Sequence, residues 1–244
     1  RTAVATGAEL VGYSGFSATN YLEQPYNSDL DFGTGDFSIM GWVKSAAIPA
    51  RLFYRGAGAS GANRLIVDIA GTGNKLRLIT TDGGGSAVIC ESLTGVNDAW
   101  QFVSGIRKGG VLSVYVNGTL ENTSASTNDV SNSVATTRIG VSTDGAGRLS
   151  GSMALWRISA TVPSAAQIAK IYQDEAPLFQ AGAACTLYGT SDAVTALAHD
   201  PVTDLLHVGT SAGRSVFDGL RRVSNTTVAV GTAISASNNL IVEE

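Results

Sequence analysis

Charge is scarce in this chain. Asp, Glu, Lys and Arg make up 15% of its 244 residues, and 16 basic against 20 acidic side chains leave a formal charge of −4. The basic residues are scattered rather than drawn into a stripe, so there is no surplus of cations to displace counterions from phosphates, and a nucleic-acid partner is not expected. No apolar run approaches the roughly 18 to 20 residues of a membrane span. No signal-like segment opens the chain either, which begins at Arg1 rather than Met and reads as a fragment or processed product of something longer. The only two cysteines, Cys90 and Cys185, lack metal-ligand spacing and read as small apolar residues, buried as free thiols, with a mutual disulfide as the alternative.

What is plentiful is glycine, with 29 residues, alongside 44% apolar residues. The apolar positions alternate. Leu112, Val114 and Val116 fall on one side of an extended segment while Ser113, Tyr115 and Asn117 fall on the other, which is the period of a half-buried strand. Residues Leu65 to Ile69 and Lys75 to Ile79 behave alike, and Gly71 to Asn74 between them is a turn signal. An antiparallel β-sandwich follows. One helix interrupts the pattern: Ile168, Ile171 and Tyr172 recur at helical spacing after Pro163, and Pro177 lies beyond its end, so a helix is predicted over about 163–174.

These segments also carry a likeness. The stretch SGSMALWRISATVPSAAQIAKIYQDEAPLF, residues 150–179, resembles the closing strand and helix of laminin-G-like, concanavalin-A-like jelly-roll domains, with Gly151, Met153, Arg157, Ile158, Ile168 and Tyr172 on the pattern. Residues Asp29 to Lys44, with Phe37, Ile39 and Trp42 on one apolar side, resemble the opening strand, and Asp98 to Val103 followed by Lys108 to Gly118 resemble the central hairpin. The resemblance covers about 15–180 and implies an all-β jelly-roll sandwich over 1–180. It implies little about ligand, because one fold hosts many functions.

The same resemblance raises the question of calcium, which in such domains sits at the sandwich rim on several oxygen ligands. Asp82, Asp98 and Asp144, each in a predicted loop beside Gly or Asn, are the candidate rim acids, although the aspartate usual near the last strand is replaced by Met153-Ala154. Sugar binding would use exposed aromatic rings. The resemblance implies that Trp42, Trp100 and Trp156 lie in the core, leaving Tyr13, Tyr21, Tyr26 and Tyr54 as the rings free to face a groove, with Tyr54 the binding candidate among them.

Catalysis finds no footing. Retaining glycoside hydrolysis needs two carboxylates about 5 Å apart, and Glu23, Glu91, Glu121 and Glu175 stand isolated from one another. A strand-to-helix Gly-x-Ser-x-Gly elbow is missing. His199 and His207 are divided by a turn and read as hairpin surface or a trimer contact. The Gly83-Gly84-Gly85 cluster, with no helix after it, reads as a hairpin tip. The chain is therefore expected not to be an enzyme.

Beyond Pro177 the character changes. Residues 181–244 are rich in Ala, Ser, Thr, Asn and Val, and Asp192 to Arg214 resembles one fragment of a β-propeller blade. About 64 residues with few large apolar groups make a poor core alone. A β-rich C-terminal appendage that packs or oligomerises is expected, and its composition resembles phage tail fibres and other virion surface proteins. Together these point to a non-enzymatic adhesion module of a phage tail or virion that binds a cell-surface glycan, assembled as a homo-oligomer, with a trimer favoured. A purely structural virion protein and an accessory carbohydrate-binding domain of a secreted bacterial protein are the alternatives.

Overall fold

Glycines fall where the strands must reverse or admit a neighbour, and they define the frame. Gly109 and Gly110 both adopt positive φ, 55° and 77°, which a tight turn between two strands needs and other residues resist. They join β-strands at Gln101–Lys108 and Val111–Val116. At Gly41 an added Cβ would lie 2.3 Å from the ring of Trp156, so this mid-strand glycine is the seat of an indole.

The computed structural model describes residues 1–58, 61–183, 194–219 and 221–228, with the backbone alone of 234–237 and 240–243. In chain order the strands before the helix are β1 (Thr2–Ala3), β2 (Val11–Ser14), β3 (Leu22–Gln24), β4 (Phe37–Ser45), β5 (Ala50–Gly56), β6 (Arg64–Ala70), β7 (Lys75–Thr81), β8 (Ala87–Gly95), β9 (Gln101–Lys108), β10 (Val111–Val116), β11 (Thr119–Ala125), β12 (Thr136–Ile139) and β13 (Gly151–Ser159). They form two sheets, one of order β1-β2-β13-β4-β9-β10-β11 and one of order β3-β12-β5-β6-β7-β8. The pairings are antiparallel, for example β4 with β9 and β6 with β7, as the alternation predicts.

Between the sheets lies one apolar core. Phe37, Ile39 and Val43 of β4 meet Phe53, Leu65, Val67, Leu76 and Leu78 of the facing sheet, with Leu112, Val114 and Val116 of β10 beside them. Each such side chain contributes on the order of 1.5–3 kcal/mol by leaving water. Cys90 belongs to this core as a free thiol with no exposure, and desolvation pushes its pKa up. Cys185 lies outside the described residues.

The helix α1 (Ala165–Glu175) starts two residues later than the sequence suggests. Pro163 precedes it rather than opening it. The cap is Ser164, whose Oγ accepts from the Gln167 amide at 3.2 Å while the Gln167 side chain accepts from the Ser164 amide at 2.8 Å. That reciprocal pair is a capping box, legible as Ser-x-x-Gln. The helix buries Ile168 completely and stacks Tyr172 on Trp42, with ring centroids 5.7 Å apart. Trp42 therefore does not share a side with Phe37 and Ile39. Strand β4 is buried on both faces, so its alternation is hidden.

Two compact units divide the chain: Arg1–Thr2 with Gly12–Asp174, and Ala3–Val11 with Glu175–Glu244. In the second, β14 (Val194–Asp200), β15 (Leu205–Thr210), β16 (Gly213–Asp218) and β17 (Arg221–Thr226) form an antiparallel meander. The hairpin β18 (Ile234–Ser237) and β19 (Leu240–Glu243) follows. Val208 and Phe217, with Leu206 against them, make the meander's apolar cluster. The N-terminal segment joins this unit through backbone bonds, Gly182 N–H to the Thr6 carbonyl at 2.8 Å and Glu9 N–H to the Ala183 carbonyl at 2.9 Å.

Candidate functional site

The three candidate rim aspartates are not brought together. Asp82 sits in the β7–β8 turn, where its Oδ1 accepts from the amides of Gly84 and Ser86, each at 2.9 Å. Asp98 is exposed in the β8–β9 loop, beyond the end of β8, so it lies at the opposite end of the sheet from Asp82. Asp144 lies in the β12–β13 loop. The Ser142 hydroxyl and the Ala146 amide donate to it and hold its carboxyl below the usual range. Calcium asks for six to eight oxygens on one centre. Among the described residues no group of three or more His, Cys, Asp or Glu is gathered to hold a metal. The carboxylates of Asp82 and Asp144 instead shape their own loops.

Tyr54 does not face a groove. Its register beside Ile66 puts it on the outer side of the six-stranded sheet, yet it is 1% exposed, clustered with Ile66 and Ile79. Its hydroxyl donates to the carbonyl of Gly58 in the following loop. Trp42 is buried, and Trp156 packs partly against the core. Tyr13 and Tyr26 remain exposed, while Tyr21 is half-buried under the Arg138 guanidinium at 4.4 Å.

One end of the sandwich is held by two buried arginines that the pattern of the sequence does not mark. Arg107 is fully buried and donates to the carbonyls of Gly33, Gly35 and Asn128 at 2.6–2.7 Å. Burial lowers its pKa, and Asp36 and Asp129 nearby oppose the shift. Arg55, 1% exposed, pairs with Asp31 at 2.9 Å and donates to the carbonyls of Val130 and Asn132. On the outer side of the six-stranded sheet, Asp68 is fully buried between Arg51 and Arg77, bound bidentately by the latter at 2.8 Å. These ionic groups are spoken for by structure, since a buried charge persists only when paired and hydrogen-bonded.

A cavity of about 280 Å³ opens beside β3 and β12. Leu22, Glu23, Gln24, Asn27, Asp29, Leu30, Thr137, Ile139 and Ile158 line it. Register explains the lining: Leu22 pairs with Ile139 and Gln24 with Thr137 on one face, while Glu23 pairs with Arg138 on the other. Leu30, Ile139 and Ile158 pack against the sandwich core and form an apolar floor. The polar rim comes from the segment after β3, where Asn27 caps a single 3-10 turn, Ser28–Leu30, by accepting from the Asp29 amide at 2.8 Å. The carboxylate of Glu23 is drawn away, bound by Arg138 Nε at 2.6 Å. Tyr26, 44% exposed, stands one residue before Asn27. Neither Gln24 nor Asn27 was legible as a site residue, because polar residues after a short edge strand look like any loop.

A sandwich of two antiparallel sheets with one capping helix defines the lectin-like jelly-roll class. The model of the concanavalin A-like lectin/glucanases superfamily, in its laminin-G form, matches residues 16–169, and the chain belongs to that family. No curated protein sequence matches the chain. Among solved structures it is similar to domain 4 of AbnA, a GH43 extracellular arabinanase from Geobacillus stearothermophilus, in complex with arabinotriose. That match has 16% identity and a TM-score of 0.53, over 68% of this chain and 82% of that one. The binding domain of Paraclostridial Mosquitocidal Protein 1 gives 10% identity and a TM-score of 0.54, over 98% and 67%. The ligand-binding domain of botulinum neurotoxin serotype D, in complex with N-acetylneuraminic acid, gives 14% and 0.53, over 86% and 55%. At such identities these likenesses establish the fold.

Proposed function

We propose that the chain is a non-enzymatic carbohydrate-binding module, displayed on a phage tail or virion surface, with its ligand site in the cavity beside β3 and β12. The observation that carries the reading is the combination in that cavity of an apolar floor and a rim of side-chain amides and a carboxylate. Sugar rings present an apolar C–H face and an edge of hydroxyls, and small-ligand sites combine those two complements. The arabinotriose bound in one similar structure supports the carbohydrate part of the reading by analogy of fold. The acids on strands support the non-enzymatic part: Glu23 is tied to Arg138, and Glu121 accepts from the amides of Leu93 and Thr94. A glycan array probed with the intact chain tests this. Saturable binding to a defined set of glycans, without release of reducing ends from the same glycans, is the expected result; binding to none, or hydrolysis, contradicts it.

Assembly into a homo-oligomer, with a trimer favoured, is part of the same proposal. The β14 strand lies at the edge of the meander and exposes Val194 and Leu197, the latter 60% accessible, and open edges invite pairing with another chain. The virion placement rests on the composition of residues 181–244. Light scattering on the intact chain should give three times the monomer mass. A monomer at micromolar concentration contradicts it.

A further inference from the structure

The polar groups of the cavity differ in how far the fold has already used them, and that difference specifies a ligand. Glu23, though it lines the cavity, turns its carboxylate to the opposite side of β3, where Arg138 neutralises it. Asp29 is then the cavity's available carboxylate. Its own backbone N–H is bonded, but no described side chain engages its carboxylate, and the same holds for the Gln24 amide. Asn27 spends its Oδ1 on the Asp29 amide, which leaves its Nδ2 to donate outward. The rim thus presents a negatively charged acceptor, an amide donor and one amide of both kinds, above Leu22, Leu30, Ile139 and Ile158.

Resting on the carbohydrate reading above, we infer that this cavity takes an uncharged sugar unit and rejects acidic ones. A hydroxyl is both donor and acceptor, so it can give its proton to the Asp29 carboxylate while its oxygen accepts from Asn27 Nδ2. A second hydroxyl meets the Gln24 amide, and the ring's C–H face lies on the apolar floor. A uronic or sialic acid would bring its carboxylate against Asp29 with no cation lining the cavity to offset it, Arg138 being occupied by Glu23. The volume of about 280 Å³ is at the small end for ligand sites, which suits one or two sugar rings and not a long chain lying along a groove.

Titration of the intact chain with arabinotriose, cellotriose, chitotriose and trigalacturonic acid, followed calorimetrically, tests the inference. At least one neutral trisaccharide should bind, trigalacturonic acid should not, and Asp29→Ala should weaken the neutral ligand roughly tenfold, as the loss of one charge-assisted hydrogen bond does. Asp29→Asn, which keeps the shape and removes the charge, should lower the discrimination between neutral and acidic trimers. Lys170→Ala, on an exposed helix position, is the control that should bind as the parent does. Equal melting temperatures for the variants would show that folding is intact. Preference for trigalacturonic acid, or neutral binding unchanged by Asp29→Ala, overturns the assignment of this cavity and leaves the carbohydrate reading standing. Binding of none of the four, together with an empty glycan array, overturns both.

Discussion

The two units of this chain solve the same problem with very different means. The sandwich buries long apolar side chains from both sheets and closes one end with Arg55 and Arg107, each bound to carbonyls of the surrounding loops. The meander of the second unit has an apolar cluster of Val208 and Phe217 with Leu206, and its strands β14 and β17 carry mostly exposed residues. Stability scales with the apolar area a segment can bury, and small sheets are marginal for that reason. The contrast teaches that the first unit is specified by its core, whereas the second is specified by turns and backbone pairing.

That contrast can be broken at either side. Arg107→Ala should have the largest effect on the sandwich, about 3–5 kcal/mol, because it strands the carbonyls of Gly33, Gly35 and Asn128 in a buried place. Chemical denaturation would read it as a lower midpoint. Phe217→Ala removes half of the meander's buried pair, at about 3–5 kcal/mol for a buried phenylalanine. Amide exchange should then show β15 and β16 losing protection while β6 and β7 keep theirs. Equal loss in both would merge the two units into one folding body. Gly41→Ala should cost about 1–3 kcal/mol by forcing the Trp156 ring off its seat, visible in indole fluorescence. Ser164→Ala should cost about 1 kcal/mol through the lost cap.

The smallest effect is a pH effect. Asp144 has a depressed pKa, caused first by the Ser142 hydroxyl and then by the Ala146 amide. Such a carboxylate contributes stability that is present above its unfolded pKa of about 4 and is lost as pH falls through the lower folded value. Because the group is exposed, acid should loosen the β12–β13 loop without unfolding the sandwich. Asp144→Asn should flatten that dependence.

How much of this was legible in the sequence follows the same division. The sandwich strands announced themselves because Leu112, Val114 and Val116 alternate, and the turn between β6 and β7 because Gly71 to Asn74 separates two alternating runs. Trp42 was assigned to the wrong side because a strand buried on both faces, under α1 on one and the core on the other, loses its alternation. Tyr54 was misread because outward register does not guarantee exposure when the next loop accepts its hydroxyl. The aspartates at 82 and 144 looked like ligands because loop carboxylates that cap their own turns have the same local sequence as those that bind cations. The cavity was invisible. It is formed by residues from β3, β12, β13 and a 3-10 turn, up to 136 positions apart in Leu22 and Ile158, and nothing local links them.

The placement of the binding site is the central claim, and mapping amide chemical shifts of the intact labelled chain during titration with a neutral oligosaccharide that it binds tests it most directly. The account predicts perturbations at Leu22, Gln24, Asn27, Asp29 and Thr137, with the meander of the second unit unmoved. Perturbations centred instead on Ile66, Ile79 and Arg77 of the outer sheet face, or on the second unit, would contradict it.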